Sequence, residues 1–239
     1  MALLLVIAVN FISALFQACS GFGYAMLAMA LMPQFLPMPV CSAVSAVTVV
    51  CIGIQMTVSL RRHLQWKTIL LPVAAAITTI PVGIWCLMHF EERTLRWVLA
   101  ILMIVVTLIL ACSRAGWIRV PGRWYSAVIL GWITGLSTGM FNIVGPFFML
   151  YYIHVCDDTM SMKACLESSF LVAGLYSMSL HLYYGTINWT VLPLLIGSGA
   201  AAVIAGLLGL RLYRHMDKTK IARVAYVLFP IMAVSLLIS

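Results

Sequence analysis

Two apolar stretches, residues 2–37 and 124–154, are each too long to cross a bilayer as one straight helix. At 1.5 Å per residue they would measure about 54 and 46 Å, whereas a hydrocarbon core is about 30 Å thick. Both contain glycine or proline near the middle, around residues 17–24 and 137–146. Because glycine is flexible and proline removes a backbone donor, we predict two short helices joined by a non-helical break in each stretch. A kinked continuous helix is the alternative interpretation.

The composition indicates a membrane protein. Of 239 residues, 64% are hydrophobic and 8% are charged, whereas soluble domains are about 45–50% apolar and about 25% charged. Six further apolar blocks each have the length of one crossing. They span 40–60, 67–89, 95–112, 162–183, 189–210 and 221–238. Non-helical backbone at membrane depth must line a cavity or lie buried in protein, because lipid cannot satisfy its polar groups.

The basic loops indicate how the long stretches cross. If each crosses once, the two faces hold 6 and 8 Lys and Arg; if each turns back, they hold 12 and 2. The positive-inside rule favours the second arrangement, with both termini outside and the basic loops in the cytoplasm. We therefore predict a multi-pass protein of the bacterial inner membrane. The 12 bases are Arg61, Arg62, Lys67, Arg114, Arg119, Arg123, Lys163, Arg211, Arg214, Lys218, Lys220 and Arg223.

The hairpin topology divides the chain into halves, 1–118 and 119–239, each with one broken hairpin and three further membrane helices. Since each half then crosses an odd number of times, the second half is inverted. The predicted fold is an all-α polytopic membrane protein of two inverted repeats, a plan of transporters with a midplane substrate site. Single crossings would instead give a parallel duplication. An offset of 121 residues aligns Gly21 with Asn142, Ala43 with Ala164, Gly53 with Gly174 and Pro72 with Pro193.

The two breaks have recognisable motifs. They read Ser-Gly-Phe-Gly-Tyr-Ala-Met-Leu-Ala over 20–28 and Gly-Leu-Ser-Thr-Gly-Met-Phe-Asn-Ile-Val-Gly-Pro over 135–146. This layout resembles the TauE/SafE family of membrane anion exporters, which often has G-x-G-G-G in the first half and G-x-G-G-P in the second. Tyr24, Asn142 and Val144 stand where that family commonly has glycine. The resemblance implies export of a small sulfur-containing anion, sulfite or an organosulfonate.

The helices that begin after the two breaks could direct their N-termini at one anion. Glycine there lets backbone N–H groups approach it closely, and polar side chains add hydrogen bonds. Local capping and helix packing are the alternative roles. The predicted substrate-binding residues are Gln17, Ser20, Gly21, Phe22, Gly23, Ser42, Ser45, Thr138, Gly139, Asn142, Gly145 and Lys163.

Lys163 and Glu167 lie four residues apart and share a helix face. We expect Lys163 to attract the anion at the cytoplasmic mouth and Glu167 to take a coupling proton. A helix that starts near Ser161 would place Glu167 about 9 Å from its end, within reach of interfacial water. A structural pair at the membrane surface is the alternative. In the family a basic residue followed by a small one is common here, as in Lys163-Ala164.

The remaining chemistry-bearing residues suggest neither a cofactor nor an enzyme. The expected partners are the anion, the bilayer and a coupling proton or sodium ion, with a possible homodimer and no nucleic acid. The histidines, including His181, fall near predicted helix ends, so we expect interfacial positions and no metal site. A different function stays open, a membrane thiol redox protein that passes electrons through cysteines such as Cys19, Cys41 and Cys165.

Overall fold

The computed structural model describes residues 2–114, 117–118, 120–213 and 232–233. Within them the chain forms nine α-helices and no strand, which confirms the predicted all-α class. The helices are α1 (Ala2–Ser20), α2 (Tyr24–Leu31), α3 (Met38–Leu60), α4 (Trp66–His89), α5 (Glu92–Arg114), α6 (Trp124–Phe141), α7 (Gly145–Val155), α8 (Thr159–Tyr183) and α9 (Leu192–Tyr213). The predicted last helix, 221–238, lies outside the described residues, as does most of the basic loop before it.

In the described part of the chain, five helices are long and apolar enough to cross a membrane by length and composition. They comprise Leu3–Ser20, Met38–His63, Trp66–His89, Glu92–Ser113 and Leu192–Gly209. This supports a multi-pass membrane protein.

Both predicted breaks are present. The first separates α1 from α2 at residues 21–23, and the second separates α6 from α7 at residues 142–144. Gly21 has φ 88° and Asn142 has φ 55°, the left-handed conformation that commonly terminates a helix. Each long stretch is therefore two helices, and the kinked continuous helix is excluded.

The first long stretch folds back on itself. The side-chain amide of Asn10, in the middle of α1, lies 3.4 Å from the Met32 sulfur just beyond α2. Ten residues, about 15 Å, separate Asn10 from the end of α1, so α2 must run back beside it. The Tyr24 hydroxyl, in the first turn of α2, also donates to Asn10.

The second stretch does the same. A Cβ built on Gly122, just before α6, would lie 3.6 Å from a methyl carbon of Val155 at the end of α7. The chain therefore leaves α7 near the point where it entered α6. Each long stretch forms a hairpin, as the distribution of basic residues predicts.

Close packing at glycines shows the helix directions. Gly131 packs against Pro72 and Gly139 against Ile80, so α6 runs parallel to α4. A thiol contact of Cys165 with the Gln65 carbonyl places the start of α8 beside the start of α4. Helices α4, α6 and α8 therefore begin at one face of the bundle.

The long helices α3 and α8 form the antiparallel centre of the bundle. Gly53 of α3 packs against Leu171, and Gly174 of α8 packs against Val49. These glycines are the pair that the 121-residue offset aligns, and both permit the same close crossing. On the outside α1 runs parallel to α9, since a Cβ on Gly197 would touch Ile7 and one on Gly209 would touch Ala18.

The connections consequently separate onto two faces. One face, which we call the basic face, has the connections at 61–65 and 156–158 and the start of α6. The connections at 35–37, 90–91 and 184–191 lie at the opposite face. Which face is cytoplasmic, the position of the termini and the division into repeats 1–118 and 119–239 stay predictions.

Candidate functional site

The two breaks touch each other in the centre of the bundle. A Cβ on Gly145 would lie 3.0 Å from the Cβ of Phe22 and 3.3 Å from the ring of Phe170. The two non-helical breaks, more than 120 residues apart in sequence, are therefore in direct contact.

A small hollow of about 10 Å³ lies beside this contact, room for about one water molecule. Val49 of α3 and Phe170 of α8 are among its lining residues. Each lies eleven residues after the start of its helix, about 16 Å along it. Because α3 and α8 start at opposite faces, the hollow lies close to the middle of the bundle.

The hollow has the donors that an anion needs. The first turns of α2 and α7 line it, through Gly23, Ala25 and Gly145 among others. Helix N-termini have free N–H groups and the positive end of the helix dipole. Gln17 and Asn142 add side-chain amides to the lining. The Asn142 Oδ1 atom is buried without a hydrogen-bond partner among the described residues.

A second hollow of about 30 Å³ lies on the basic-face side of the first break. Its lining includes Ser20, Gly21 and Lys163. The Lys163 ammonium donates to the carbonyl of Ala18 at 3.5 Å, near the end of α1. Since Lys163 is four residues into α8, this contact lies about 6 Å from the basic-face end of that helix.

Glu167 lies deeper than the sequence suggests. Helix α8 starts at Thr159, which places Glu167 about 12 Å along it, and its side chain is fully buried. One carboxylate oxygen accepts from the Gln17 amide at 3.5 Å, and the Lys163 charge attracts it. The expectation of a carboxylate reached by interfacial water is wrong, and Glu167 instead connects to a residue of the central hollow.

The second break is held on its other side by α3. The Asn142 side-chain amide donates to the Ser42 carbonyl at 2.8 Å and to the Ser42 hydroxyl at 3.0 Å. The same hydroxyl lies 3.1 Å from Nε2 of His181. Ser42 is four residues into α3, so this contact lies about 6 Å from the opposite-face end of that helix.

His181 is the residue that the sequence reasoning missed. We expected an interfacial side chain, but the ring is fully buried. Its position near the end of α8 was misleading because the connection after α8 covers it: the amides of Thr186 and Ile187 both donate to its carbonyl. A signal was available, since steps of three and four residues from Glu167 lead to His181 along one face. That face comprises Glu167, Phe170, Gly174, Ser177 and His181, all buried.

Three other predicted site residues lie away from the central hollow. The Thr138 hydroxyl donates to Thr134 of its own helix at 2.6 Å, and Gly139 packs against α4. Ser45 is buried on α3 beside Tyr24. The structure thus brings Gln17, Gly23, Asn142 and Gly145 together at the central hollow, with Phe22 against them, but not Thr138, Gly139 or Ser45.

Cys19, Cys41 and Cys165 do not contact one another, although the Cys165 thiol lies within hydrogen-bonding reach of the Cys156 thiol. All seven described cysteines are free thiols. Cys19 lies against the Gly209 carbonyl, Cys41 against the Leu36 carbonyl and Cys165 against the Gln65 carbonyl. In the described part of the chain no group of three or more His, Cys, Asp or Glu is arranged for a metal ion.

One comparison with known proteins gives a match. The sequence profile described as "Sulfite exporter TauE/SafE" matches residues 5–236, nearly the whole chain. No curated protein and no solved structure gives a significant match. The matched length includes both broken hairpins and the central hollow between them. The chain therefore belongs to the TauE/SafE sulfite exporter family of membrane transporters.

Proposed function

We propose that this protein is a secondary transporter that exports a small sulfur-containing anion, sulfite or an organosulfonate, across the cytoplasmic membrane. The main supporting observation is the central hollow, where the first turns of α2 and α7 meet beside Gln17 and Asn142. Two positive helix ends and the second N–H of the Gln17 amide can replace part of the hydration shell of an anion, and the Asn142 amide can add its N–H groups once it leaves Ser42. The family match supports the same substrate class.

The size of the hollow supports an alternating mechanism. At about 10 Å³ it is too small for a four-atom oxyanion, since that volume suits about one water. The breaks must therefore separate before an anion binds. Two contacts close the hollow from opposite sides. We call the Lys163–Ala18 bond the basic-face latch and the Asn142–Ser42 bonds the opposite-face latch. Release of one latch while the other holds would expose the hollow to one face at a time.

Charges near the hollow suit an anion carrier whose flux is linked to protons. Lys163 lies at the basic face, the predicted cytoplasmic side, where its ammonium raises the local concentration of anions. Glu167 hydrogen-bonds Gln17, so the protonation state of Glu167 and the charge in the hollow influence each other electrostatically. A proton on Glu167 removes a negative charge that repels the anion, so proton and anion would bind together and cross in the same direction.

Flux measurements in proteoliposomes test the proposal. The purified full chain is reconstituted, and radiolabelled sulfite, thiosulfate, sulfoacetate and acetate are compared at two pH values against protein-free liposomes. We expect saturable flux of at least one sulfur-containing anion, with competition by the others. If every anion leaks at the protein-free rate, or if acetate alone is carried, the proposed substrate class is wrong.

Glu167→Gln tests the coupling role separately. The amide keeps the size and the bond to Gln17 but cannot exchange a proton. We expect loss of flux driven by a pH gradient, whereas anion exchange at equal pH persists. Glu91→Gln, at an exposed position of the opposite face, is the matched control. A Glu167→Gln carrier that still follows the pH gradient would remove Glu167 from coupling.

A further inference from the structure

A buried histidine is built into the opposite-face latch. The His181 ring is fully buried, and its Nε2 lies 3.1 Å from the Ser42 hydroxyl. That hydroxyl also accepts from the Asn142 amide at 3.0 Å. The other ring nitrogen, Nδ1, has no hydrogen-bond partner among the described residues. A titratable side chain and the second break therefore share one oxygen atom.

The surroundings have no countercharge in contact with this ring. The helix end is packed by α3 and α4, with α5 starting nearby. The titratable or charged groups on these elements and on the end of α8 are Cys41, Cys86, His89, Glu91, Glu92, Arg93, Arg96, Tyr183 and Tyr184. Cys41 donates to Leu36 and His89 bonds Trp85 in their own segments, and Glu92 pairs with Arg96 at 3.0 Å. Among the described residues no recorded hydrogen bond or ion pair joins any of them to His181.

The neutral ring fits the closed latch. One nitrogen shares a hydrogen bond with Ser42, and the hydroxyl has a second lone pair for the Asn142 amide. A protonated ring does not fit. Both its nitrogens would be donors, and Nδ1–H would have no acceptor. Its positive charge would also lie beside the Asn142 NH₂ group, the positive end of the amide dipole.

The charged ring needs water or an anion, because an unpaired buried charge costs several kcal/mol. Movement of the second break away from α3 would admit water to Ser42 and His181. A proton therefore binds better to the open arrangement than to the closed one. By mass action, protons then shift the population toward the open arrangement.

We propose that His181 is a proton-binding positioning residue that opens the opposite-face latch when it is protonated. Its place in the transport cycle rests on the proposed function, whereas the pH response of the latch does not. In the orientation predicted from the basic loops, His181 lies toward the outside, where a bacterium maintains the higher proton concentration. Protons from that side would open the exit for the anion.

Hydrogen–deuterium exchange of the second break measures the latch directly. Peptides covering 140–145 are followed in the full chain at about pH 5.5 and 7.5, on either side of the ordinary histidine pKa, with correction for intrinsic exchange rates. We expect exchange in the wild type to be roughly threefold or more faster at the lower pH. His181→Gln retains a hydrogen-bonding group without a titration and should abolish this difference.

Two further variants make the result specific. Ser42→Ala removes the shared oxygen and should also abolish the pH response, even though His181 remains. His154→Gln is the control, since His154 is an exposed histidine away from the latch that bonds Leu150 of its own helix, at 2.9 Å. It should respond to pH like the wild type. If His181→Gln does not fold, the pH response of Ser42→Ala still tests the role of the latch.

The outcomes separate this inference from the proposed function. A wild-type break that ignores pH, or a His181→Gln or Ser42→Ala variant with the full response, overturns the role of His181. Anion flux in proteoliposomes would stand in either case. If the break responds to pH through His181 but no tested anion is carried, the latch is correct and the proposed substrate is wrong.

Discussion

Gly145 lies against Phe22 so closely that a Cβ at position 145 would be 3.0 Å from the Cβ of Phe22. Real Cβ contacts are rarely so short, so any side chain at position 145 would push the two breaks apart. The contact joins the start of α7 to the break before α2, the two helix N-termini that line the central hollow. The shape of the site therefore depends on a missing side chain.

A leucine at Gly145 should abolish transport without removing the protein from the membrane. The larger side chain would meet Phe22 and the Phe170 ring, 3.3 Å from a Cβ, and overpacking typically costs about 1–3 kcal/mol. We expect flux in proteoliposomes to fall by roughly tenfold or more. Gly122→Leu, at an exposed position in the same hairpin where a Cβ has 3.6 Å of room, is the control. Wild-type flux in Gly145→Leu would mean that the breaks do not define the site.

Gly21 should tolerate asparagine better than valine. A Cβ there would have nothing within 4 Å, but φ is +88°, so the constraint comes from the backbone alone. The left-handed region costs most residues about 1–2 kcal/mol, whereas asparagine visits it readily. Asn142 adopts φ 55° in the other break. Thermal unfolding and flux of Gly21→Asn should stay near wild type and those of Gly21→Val should drop; equal behaviour of the two variants would contradict this.

Gly139→Ala should destabilise the fold and not only impair transport. A Cβ there would clash with the Ile80 carbonyl and lie 2.8 Å from the Gly83 Cα. Backbone atoms cannot move aside as a flexible side chain can, so α6 and α4 must separate. We expect a loss of about 1–3 kcal/mol, measured as a lower thermal midpoint in detergent. Gly122→Ala should leave the midpoint unchanged. A Gly139→Ala variant that is stable but inactive would contradict the packing role and support the predicted role of Gly139 in substrate binding.

Asp158 should stabilise the start of α8 in a pH-dependent way. Its carboxylate accepts from the Ser161 hydroxyl at 2.6 Å and from the amides of Met160 and Ser161. The Ser161 hydroxyl, followed by these amides, lowers the pKa of the Asp158 carboxyl. A lowered folded-state pKa means that the stabilisation is present above the ordinary Asp pKa of about 3.9 and is lost as the pH falls through the folded value.

Unfolding midpoints of Asp158→Asn and Asp158→Ala at neutral and acidic pH check this. At neutral pH the order should be wild type, then Asn, which still caps a helix, then Ala. In acid the wild type should approach the Asn variant. Identical midpoints for wild type and Ala at neutral pH would show that the cap adds nothing.

The sequence predicted the breaks well because bilayer thickness is a strict constraint. A 36-residue apolar stretch is too long to cross the bilayer as one straight helix, and the glycines indicate where the helix is interrupted. Helices expected after Gly23 and after Val144 begin at Tyr24 and Gly145. The charge count across the loops then favoured hairpins, and the Asn10–Met32 contact confirms the first of them.

Side-chain direction could not be predicted in the same way. Thr138 and Gly139 lie within four residues of Asn142, yet they face their own helix and α4. Successive side chains of an α-helix point about 100° apart around the helix axis. Nearness in sequence therefore does not decide which residue faces the hollow. His181 was missed because a single sequence does not show that the following connection covers a helix end. The repeat boundaries, the termini and a homodimer stay predictions.

The two latches are built alike but differ in charge. Under the 121-residue offset, Ser42 corresponds to Lys163, so a hydroxyl and an ammonium occupy equivalent places in the two halves. An anion approaching through the lysine side meets a full positive charge, and one approaching from the serine side meets a neutral group. The equilibrium across the membrane still follows the gradients alone. The speeds of loading need not match, so one difference in charge between the two latches is enough to make the carrier load faster from one side.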